Sequence, residues 1–123
     1  RVFWVEAEGL EDEVAEDWAE GTAYFFYLME AMIQAGISLG LDEKASRALT
    51  LQTALGAAQM AITSEATPDK LRQNVTSPGG TTQAALDSLN QQDVSGHVVK
   101  ALQAAAARSL ELAQQFASQA QSD

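Results

Sequence analysis

One short stretch, "VTSPGGTT" at residues 75–82, interrupts a sequence that otherwise reads as consecutive helices. Pro78 lacks an amide hydrogen and disfavours helical geometry at Ser77, so a preceding helix must end before this point. Gly79 and Gly80 tolerate positive φ, which allows a sharp reversal of the chain. Because neither glycine has a side chain, a ligand could approach the backbone here.

The helix after the glycines is predicted to be capped by a threonine, either Thr81 or Thr82. The first amides of a helix have no intrahelical partner and lie at the positive end of its dipole, so they favour a carboxylate or a phosphate. The Thr82 hydroxyl can also donate or accept a hydrogen bond. The stretch therefore predicts a site for a small anion, and the alternative is a turn that binds nothing.

Few other residues could carry chemistry. The absence of cysteine excludes a thiol nucleophile, a disulfide framework and a Cys-based zinc site. His97 is the only histidine, and it is predicted to lie on a helix surface or at an interface. The acids at 11–17 are predicted to form a solvated helix face, because calcium loops need a turn with alternating ligands and a glycine. We therefore expect no metal, and we expect the aromatic residues at 24–27 to belong to a core rather than to a ligand pocket.

About six helices are predicted to position the turn, which makes the chain an all-α protein. Their sequences in order are GLEDEVAEDWAEG, TAYFFYLMEAMIQAGISLGL, LDEKASRALTLQTALGAAQMAITS, TPDKLRQNV, TTQAALDSLNQQ and DVSGHVVKALQAAAARSLELAQQFASQAQ. The predicted N-caps other than the threonine of the turn are Thr22, Asp42, Thr67 and Asp93. By domains, we expect a linker at 1–9, a helical domain at 10–118 and a frayed tail at 119–123.

The second and third helices carry the most apolar surface. Residues 24–29 of the second leave no polar face, so we expect this helix to be buried all round, for which an oligomer has more room than a small monomer. The predicted inner face of the third helix comprises Leu51, Ala54, Leu55, Ala58 and Ile62. These patterns favour a chain that associates with a copy of itself.

Composition narrows the classes of partner. The net charge of −10 argues against nucleic acid and against anionic membrane surfaces. The longest apolar run, at 23–29, is too short to span a bilayer. The residue set suits a reducing cytoplasm. Because the chain starts at Arg1 without an initiator methionine, we expect a fragment or an excised piece.

The sequence "VTSPGGTT" resembles the signature of the pyrroline-5-carboxylate reductases, which catalyse the last step of proline biosynthesis. The resemblance continues, in the same order along the chain, through "AYFFYLMEAMIQAGISLGL", "ASRALTLQTALGAAQM" and "HVVKALQAAAARSLEL". It extends from about residue 23 to residue 112, and agreement over residues 1–14 is weaker.

The resemblance implies a two-domain enzyme. In this family an N-terminal Rossmann domain binds NADPH or NADH, and an all-helical C-terminal domain forms an intertwined homodimer that can assemble further. The substrate is a cyclic imine carboxylate, and the product is proline. This chain would be the C-terminal dimerisation and substrate-side domain.

Site residues follow from the same resemblance. The turn around Gly79, Gly80, Thr81 and Thr82 would hold the substrate carboxylate, and Ser77 would shape that loop. Thr82 would also lie beside the imine nitrogen, as the catalytic residue that orients the ligand and relays a proton from water. Asn74 and Val75 would lie near the cofactor.

The sequence departs from the family pattern in two ways. No GxGxxG loop and no βαβ pattern occurs in the sequence, so we expect the chain alone not to catalyse the reaction. The family's Thr-Ala-Leu-Ser-Gly-Ser-Gly-Pro stretch is replaced here by "AEDWAEGT" at 15–22, which is bulky and acidic. The alternative is therefore a non-catalytic or engineered helical dimer that serves as an assembly or binding scaffold.

Overall fold

A computed structural model describes Trp18 and residues 20–122, and within them every regular element is an α-helix. The helices are α1 (Thr22–Ser38), α2 (Glu43–Thr63), α3 (Pro68–Asn74), α4 (Thr81–Gln91) and α5 (Val94–Ser122). The predicted all-α class is confirmed. The predicted linker at 1–9, the acidic residues at 11–17 and nearly all of the first predicted helix lie outside the described residues.

The chain divides into two compact units. Ala23–Ser88 form one unit, which holds almost all of α1, then α2, α3 and the greater part of α4. Residues from Leu89 onward belong to the other, which holds α5. No described helix combines the length and the apolar character that crossing a bilayer requires.

Helices α1 and α2 form a hairpin whose connection, here called the α1–α2 junction, comprises residues 36–46. The amide of Gly40 donates to the carbonyl of Ile37 at 3.0 Å, and that of Leu41 donates to the carbonyl of Gly36 at 3.0 Å. Gly40 has φ of +110°, which this two-bond helix ending requires. The end of α1 is therefore satisfied by its own backbone.

A contact between small residues brings the two helices of the hairpin together. Ser46 is only 1% exposed, and its Oγ donates to the carbonyl of Ile33 at 2.7 Å. A Cβ added to Gly36 would lie 3.1 Å from Ser46 Cβ and would collide with Ser46 Oγ. The hairpin therefore depends on a glycine facing a serine, with no space for a methyl group between them.

Large apolar side chains stay exposed in the single chain. Among the described residues the buried side chains are Ser46 and Thr50, and no apolar side chain is buried. Phe25, Phe26 and Tyr27 on α1 are 64%, 63% and 75% exposed in the single chain, so the burial of this helix all round, expected in an oligomer, stays a prediction. The predicted inner face of α2 is not buried within the single chain, where the buried side chains of this helix are Ser46 and Thr50.

Helix α5 begins at a capped turn in the second unit. Asp93 has φ of +53°, and its Oδ1 accepts a hydrogen bond from the amide of Gly96 at 3.3 Å. The helix is continuous to Ser122, with an ion pair of 3.0 Å between Arg108 and Glu111 on its surface. Phe116 is 69% exposed. This unit therefore also presents apolar surface that its own described residues do not cover.

The predicted N-caps have mixed outcomes. Asp42 accepts from the amide of Ala45 at 2.8 Å, and Asp93 caps α5 as above, so both predictions are confirmed. Thr67 occupies the cap position of α3 without a side-chain cap bond. Thr22 and Thr81 are instead the first residues of α1 and α4, each directly after a glycine, so neither is the N-cap that was predicted.

Candidate functional site

The candidate site is the connection between α3 and α4, here called the α3–α4 turn and comprising residues 75–82. Helix α3 ends at Asn74, and the amide of Val75 donates back to the carbonyl of Arg72 at 3.2 Å. Thr76 donates twice in the same direction, from its amide to Gln73 at 3.1 Å and from its Oγ1 to the carbonyl of Arg72 at 2.6 Å. These bonds fix the direction in which the chain leaves α3.

A tight turn follows. The amide of Gly80 donates to the carbonyl of Ser77 at 3.1 Å, and Gly79 has φ of +74°. Proline at the second position and a positive-φ glycine at the third are typical of a type II turn. The turn therefore forms for local reasons, and its geometry does not depend on a ligand.

The turn leads directly into the first amides of α4. The first backbone bond of this helix runs from the amide of Ala84 to the carbonyl of Gly80, at 3.1 Å. Within the described chain, the amides of Thr81, Thr82 and Gln83 donate to no backbone carbonyl. These three donors lie at the positive end of the helix dipole, where an anion is stabilised.

Space around the turn is open on the side of Gly79. A Cβ added to Gly79 would meet no atom within 4 Å. A Cβ on Gly80 would lie 3.2 Å from the carbonyl oxygen of Ser77, so Gly80 is restricted by its own turn. Thr81 and Thr82 are exposed, and no hydrogen bond involves their hydroxyls among the described residues. The donors of this turn are therefore accessible in the single chain.

The local charge around the turn differs from that of the whole chain. Residues 67–87 contain two acids, Asp69 and Asp87, and two bases, Lys70 and Arg72, whereas the chain carries −10. Gln83 Nε2 donates to Asp87 Oδ1 at 2.8 Å. The Thr67 hydroxyl beside Asp69 holds the pKa of that carboxyl below its ordinary value of 3.8. An anion at the turn therefore meets no local excess of negative charge.

All the site residues predicted from the sequence lie in or beside this turn, since they are nearly consecutive. Asn74 is the last residue of α3, and Val75 is 60% exposed next to it. The sequence reasoning missed Thr76, whose hydroxyl is the only side chain of the turn that makes a described hydrogen bond. The signal for it was available, because a threonine four residues after Arg72 can bond to that residue's carbonyl.

The other candidates belong to helices other than the two that flank the turn. His97 is exposed on α5, in agreement with its predicted surface position. No group of three or more His, Asp or Glu side chains in the described part of the chain could hold a metal ion. An open depression is formed along α2 alone, by Glu43, Lys44, Arg47, Ala48 and Leu51. It contains none of the residues that present the amides of the turn.

Comparisons with known proteins show the family of this chain. The family model described as pyrroline-5-carboxylate reductase dimerisation matches residues 7–112. The pyrroline-5-carboxylate reductase of Pseudomonas aeruginosa is 51% identical over 114 residues, which cover 93% of this chain and 42% of that relative. A solved pyrroline-5-carboxylate reductase of Coxiella burnetii superposes with a TM-score of 0.77 at 42% identity, covering 89% of this chain and 40% of that one.

A second solved structure, Plasmodium falciparum pyrroline carboxylate reductase with NADP bound, superposes with a TM-score of 0.76 at 34% identity and covers 79% of this chain and 39% of its own. The fold and the open turn define an all-helical domain with a candidate anion site. The chain belongs to the pyrroline-5-carboxylate reductase dimerisation family and corresponds to the C-terminal dimerisation domain. It spans about two-fifths of the length of the relatives it matches, and the scaffold alternative is not favoured.

Proposed function

We propose that this chain is the dimerisation and substrate-side domain of an enzyme that reduces 1-pyrroline-5-carboxylate to proline with NADPH or NADH. The observation that carries the proposal is the set of open amides at Thr81, Thr82 and Gln83, in a chain of this family. Fixed backbone donors bind a carboxylate at little reorganisation cost, because folding has already oriented them.

In this proposal each residue of the turn has a distinct task. The amides of Thr81 and Thr82 hold the substrate carboxylate. The amide of Gly80 is engaged with Ser77, so Gly80 contributes by leaving the backbone accessible, and Ser77 contributes by closing the turn. The carboxylate thereby fixes the position of the adjacent ring, which places the imine bond beside the Thr82 hydroxyl.

Thr82 acts on the imine nitrogen. Addition of a hydride to the imine carbon leaves a pair of electrons on nitrogen that must take up a proton. A threonine hydroxyl is too weak an acid to protonate the imine by itself, so it orients the nitrogen and relays a proton from water. It is available for this role because no described residue occupies its hydrogen-bonding capacity.

The cofactor requires a further domain. A reduced nicotinamide, when bound, supplies the hydride. The exposed amide of Asn74 and the exposed side chain of Val75 suit contact with one edge of such a ring. The sequence has no glycine-rich dinucleotide loop, so most of the cofactor must be held by a nucleotide-binding domain outside this chain.

We further propose that the chain acts as a homodimer or a larger assembly of itself. Phe25, Phe26 and Tyr27 are more than 60% exposed, and burying one such side chain is worth about 1.5–3 kcal/mol. Sedimentation should therefore give the mass of a dimer or a larger oligomer at micromolar concentration. A folded monomer under those conditions would contradict this part of the proposal.

The catalytic proposal is tested by substituting Thr82 in the full-length gene product that contains this chain. Thr82→Ala should lower kcat for NADPH oxidation with the imine substrate by about a hundredfold, because it removes a proton relay. Thr81→Ala is the matched control: it keeps the backbone amide and should stay within about threefold of wild type. Unchanged kinetics in Thr82→Ala would remove Thr82 from the mechanism.

The isolated chain gives an independent check. With NADPH and the imine substrate it should show no cofactor oxidation, because the hydride donor has no binding domain. Measurable turnover would show that this chain contains a cofactor site of its own.

A further inference from the structure

Three helices of the Ala23–Ser88 unit end with the same kind of side-chain bond. Ser38 Oγ donates to the carbonyl of Gln34 at 3.0 Å, Thr63 Oγ1 to that of Gln59 at 2.8 Å, and Thr76 Oγ1 to that of Arg72 at 2.6 Å. Each bond spans four residues. The three residues differ in their position relative to the last residue of the helix.

Thr76 is the only one of the three that lies beyond its helix. Ser38 and Thr63 are the last residues of α1 and α2, whereas α3 ends at Asn74, two residues before Thr76. The Ser38 and Thr63 bonds therefore add to helical turns that backbone bonds already fix. The Thr76 bond instead ties to α3 a residue beyond the end of the helix, alongside the one backbone bond from the Thr76 amide to Gln73.

The bond of Thr76 also shares its acceptor carbonyl with one other bond. The carbonyl of Arg72 accepts from Thr76 Oγ1 and from the amide of Val75, at 3.2 Å. Ser77, the next residue, provides the carbonyl that accepts from Gly80 and closes the turn. From Arg72 to Ala84 the chain is thus held by a series of short bonds, and Thr76 supplies the one side chain in it.

From this geometry we infer that Thr76 is a positioning residue for the substrate carboxylate. It acts through the turn and touches no reacting atom. The inference rests on the proposed function. Without its hydroxyl, the exit from α3 loses its shortest bond, and the Thr81 and Thr82 amides lose a fixed orientation. Substrate binding weakens, while the hydride and proton transfers of the bound substrate are unchanged.

The test compares Thr76→Val with Thr63→Val in the full-length enzyme. Both variants delete a hydroxyl bond of the same span, so both should lose similar stability. Only Thr76→Val should raise KM for the imine substrate, by about fivefold, the equivalent of one modest hydrogen bond. Its kcat should stay within about twofold of wild type, and Thr76→Ser should restore KM.

Other outcomes overturn the inference. An equal KM in Thr76→Val and Thr63→Val would reduce Thr76 to an ordinary helix-end residue, and a fall in kcat at constant KM would assign it to the chemistry instead. Thr76→Ala deletes the hydroxyl without a branched replacement. A normal KM in that variant overturns the inference even if Thr76→Val does not fold.

Amide hydrogen exchange separates failure of this inference from failure of the proposed function. If the wild-type enzyme reduces no imine, the proposed function fails, and exchange of the Gly80 amide still decides the role of Thr76. This amide should exchange about fivefold faster in Thr76→Val than in Thr63→Val. Equal exchange in the two variants overturns the inference.

Discussion

The α1–α2 junction and the α3–α4 turn use the same kind of residue with opposite results. Both contain a glycine with positive φ, Gly40 at +110° and Gly79 at +74°. In the α1–α2 junction, paired backbone bonds satisfy the helix end, and Ser46 fills the space against Gly36. A Cβ would meet nothing within 4 Å at either of these glycines. The two junctions differ at the start of the next helix: the Asp42 carboxylate accepts from the Ala45 amide of α2, whereas in the described chain no side chain accepts from the amides of Thr81, Thr82 and Gln83.

This difference separates a turn that holds the fold together from a turn that is ready for a ligand. A glycine alone does not distinguish them, since both junctions have one. The distinguishing property is whether a side chain caps the helix that follows the glycine, as Asp42 caps α2. An open donor set is tolerated at the α3–α4 turn because it is exposed to water, which can be displaced by a carboxylate.

The largest effect on stability is expected at the α1–α2 junction. Gly36→Ala should lower the free energy of unfolding by about 2–3 kcal/mol, because its Cβ collides with Ser46. Gly56→Ala is the control: a Cβ there meets nothing within 4 Å, so it should stabilise α2 by about 0.5–1 kcal/mol. Chemical denaturation of the assembled protein measures both.

A double-mutant cycle sharpens that prediction. In a Ser46→Ala background the colliding oxygen is absent, so Gly36→Ala should cost clearly less than it does in wild type. Equal costs in the two backgrounds would show that the Gly36–Ser46 contact does not set the approach of the two helices.

A smaller effect should distinguish the two positive-φ glycines. Gly40→Ala and Gly79→Ala should each cost about 1–2 kcal/mol of stability, because alanine resists positive φ. Only Gly79→Ala should also raise KM for the imine substrate, by about five- to tenfold, since its Cβ enters the open space beside the donors. If both variants raise KM equally, the two regions do not differ in the way described.

The smallest effect concerns Thr67 and Asp69 at the start of α3. The Thr67 hydroxyl lowers the pKa of Asp69, so Thr67→Val should raise that pKa toward its ordinary value of 3.8. Because the folded pKa is depressed, the associated stability is present above the unfolded pKa and is lost as pH falls through the folded pKa. NMR titration of the Asp69 carboxyl measures the shift, and Thr63→Val should leave it unchanged.

Much of the fold was predictable from local rules. Asp42 and Asp93 cap their helices as the sequence indicates, and Pro78 with its glycines marks the turn. The packing was less predictable. The sequence pointed to leucines and alanines as the inner face of α2, whereas within the single chain Ser46 and Thr50 are its buried side chains, since close approach of two helices needs small side chains. The leucines of α2 remain exposed in the single chain. Hydrophobicity alone does not tell whether an apolar side chain packs within one chain or against another.

The position of the candidate site in the sequence was predictable, but the hydrogen bonds within the turn were not. The proline, glycines and threonines of residues 77–82 indicate a turn that leads into a helix. That the Gly80 amide is engaged with Ser77, and that Thr76 ties the turn to α3, depends on the three-dimensional path of the backbone. Sequence patterns fix which donors a turn has, whereas only geometry shows which of them are already paired.

The most direct test of the central claim is amide NMR of the full-length protein, labelled at threonine and titrated with L-proline in the presence of NADP. The account predicts saturable shifts of the Thr81 and Thr82 amide resonances, with those of Thr50 and Thr63 unmoved. Proline binding that leaves the Thr81 and Thr82 amides unchanged would contradict it.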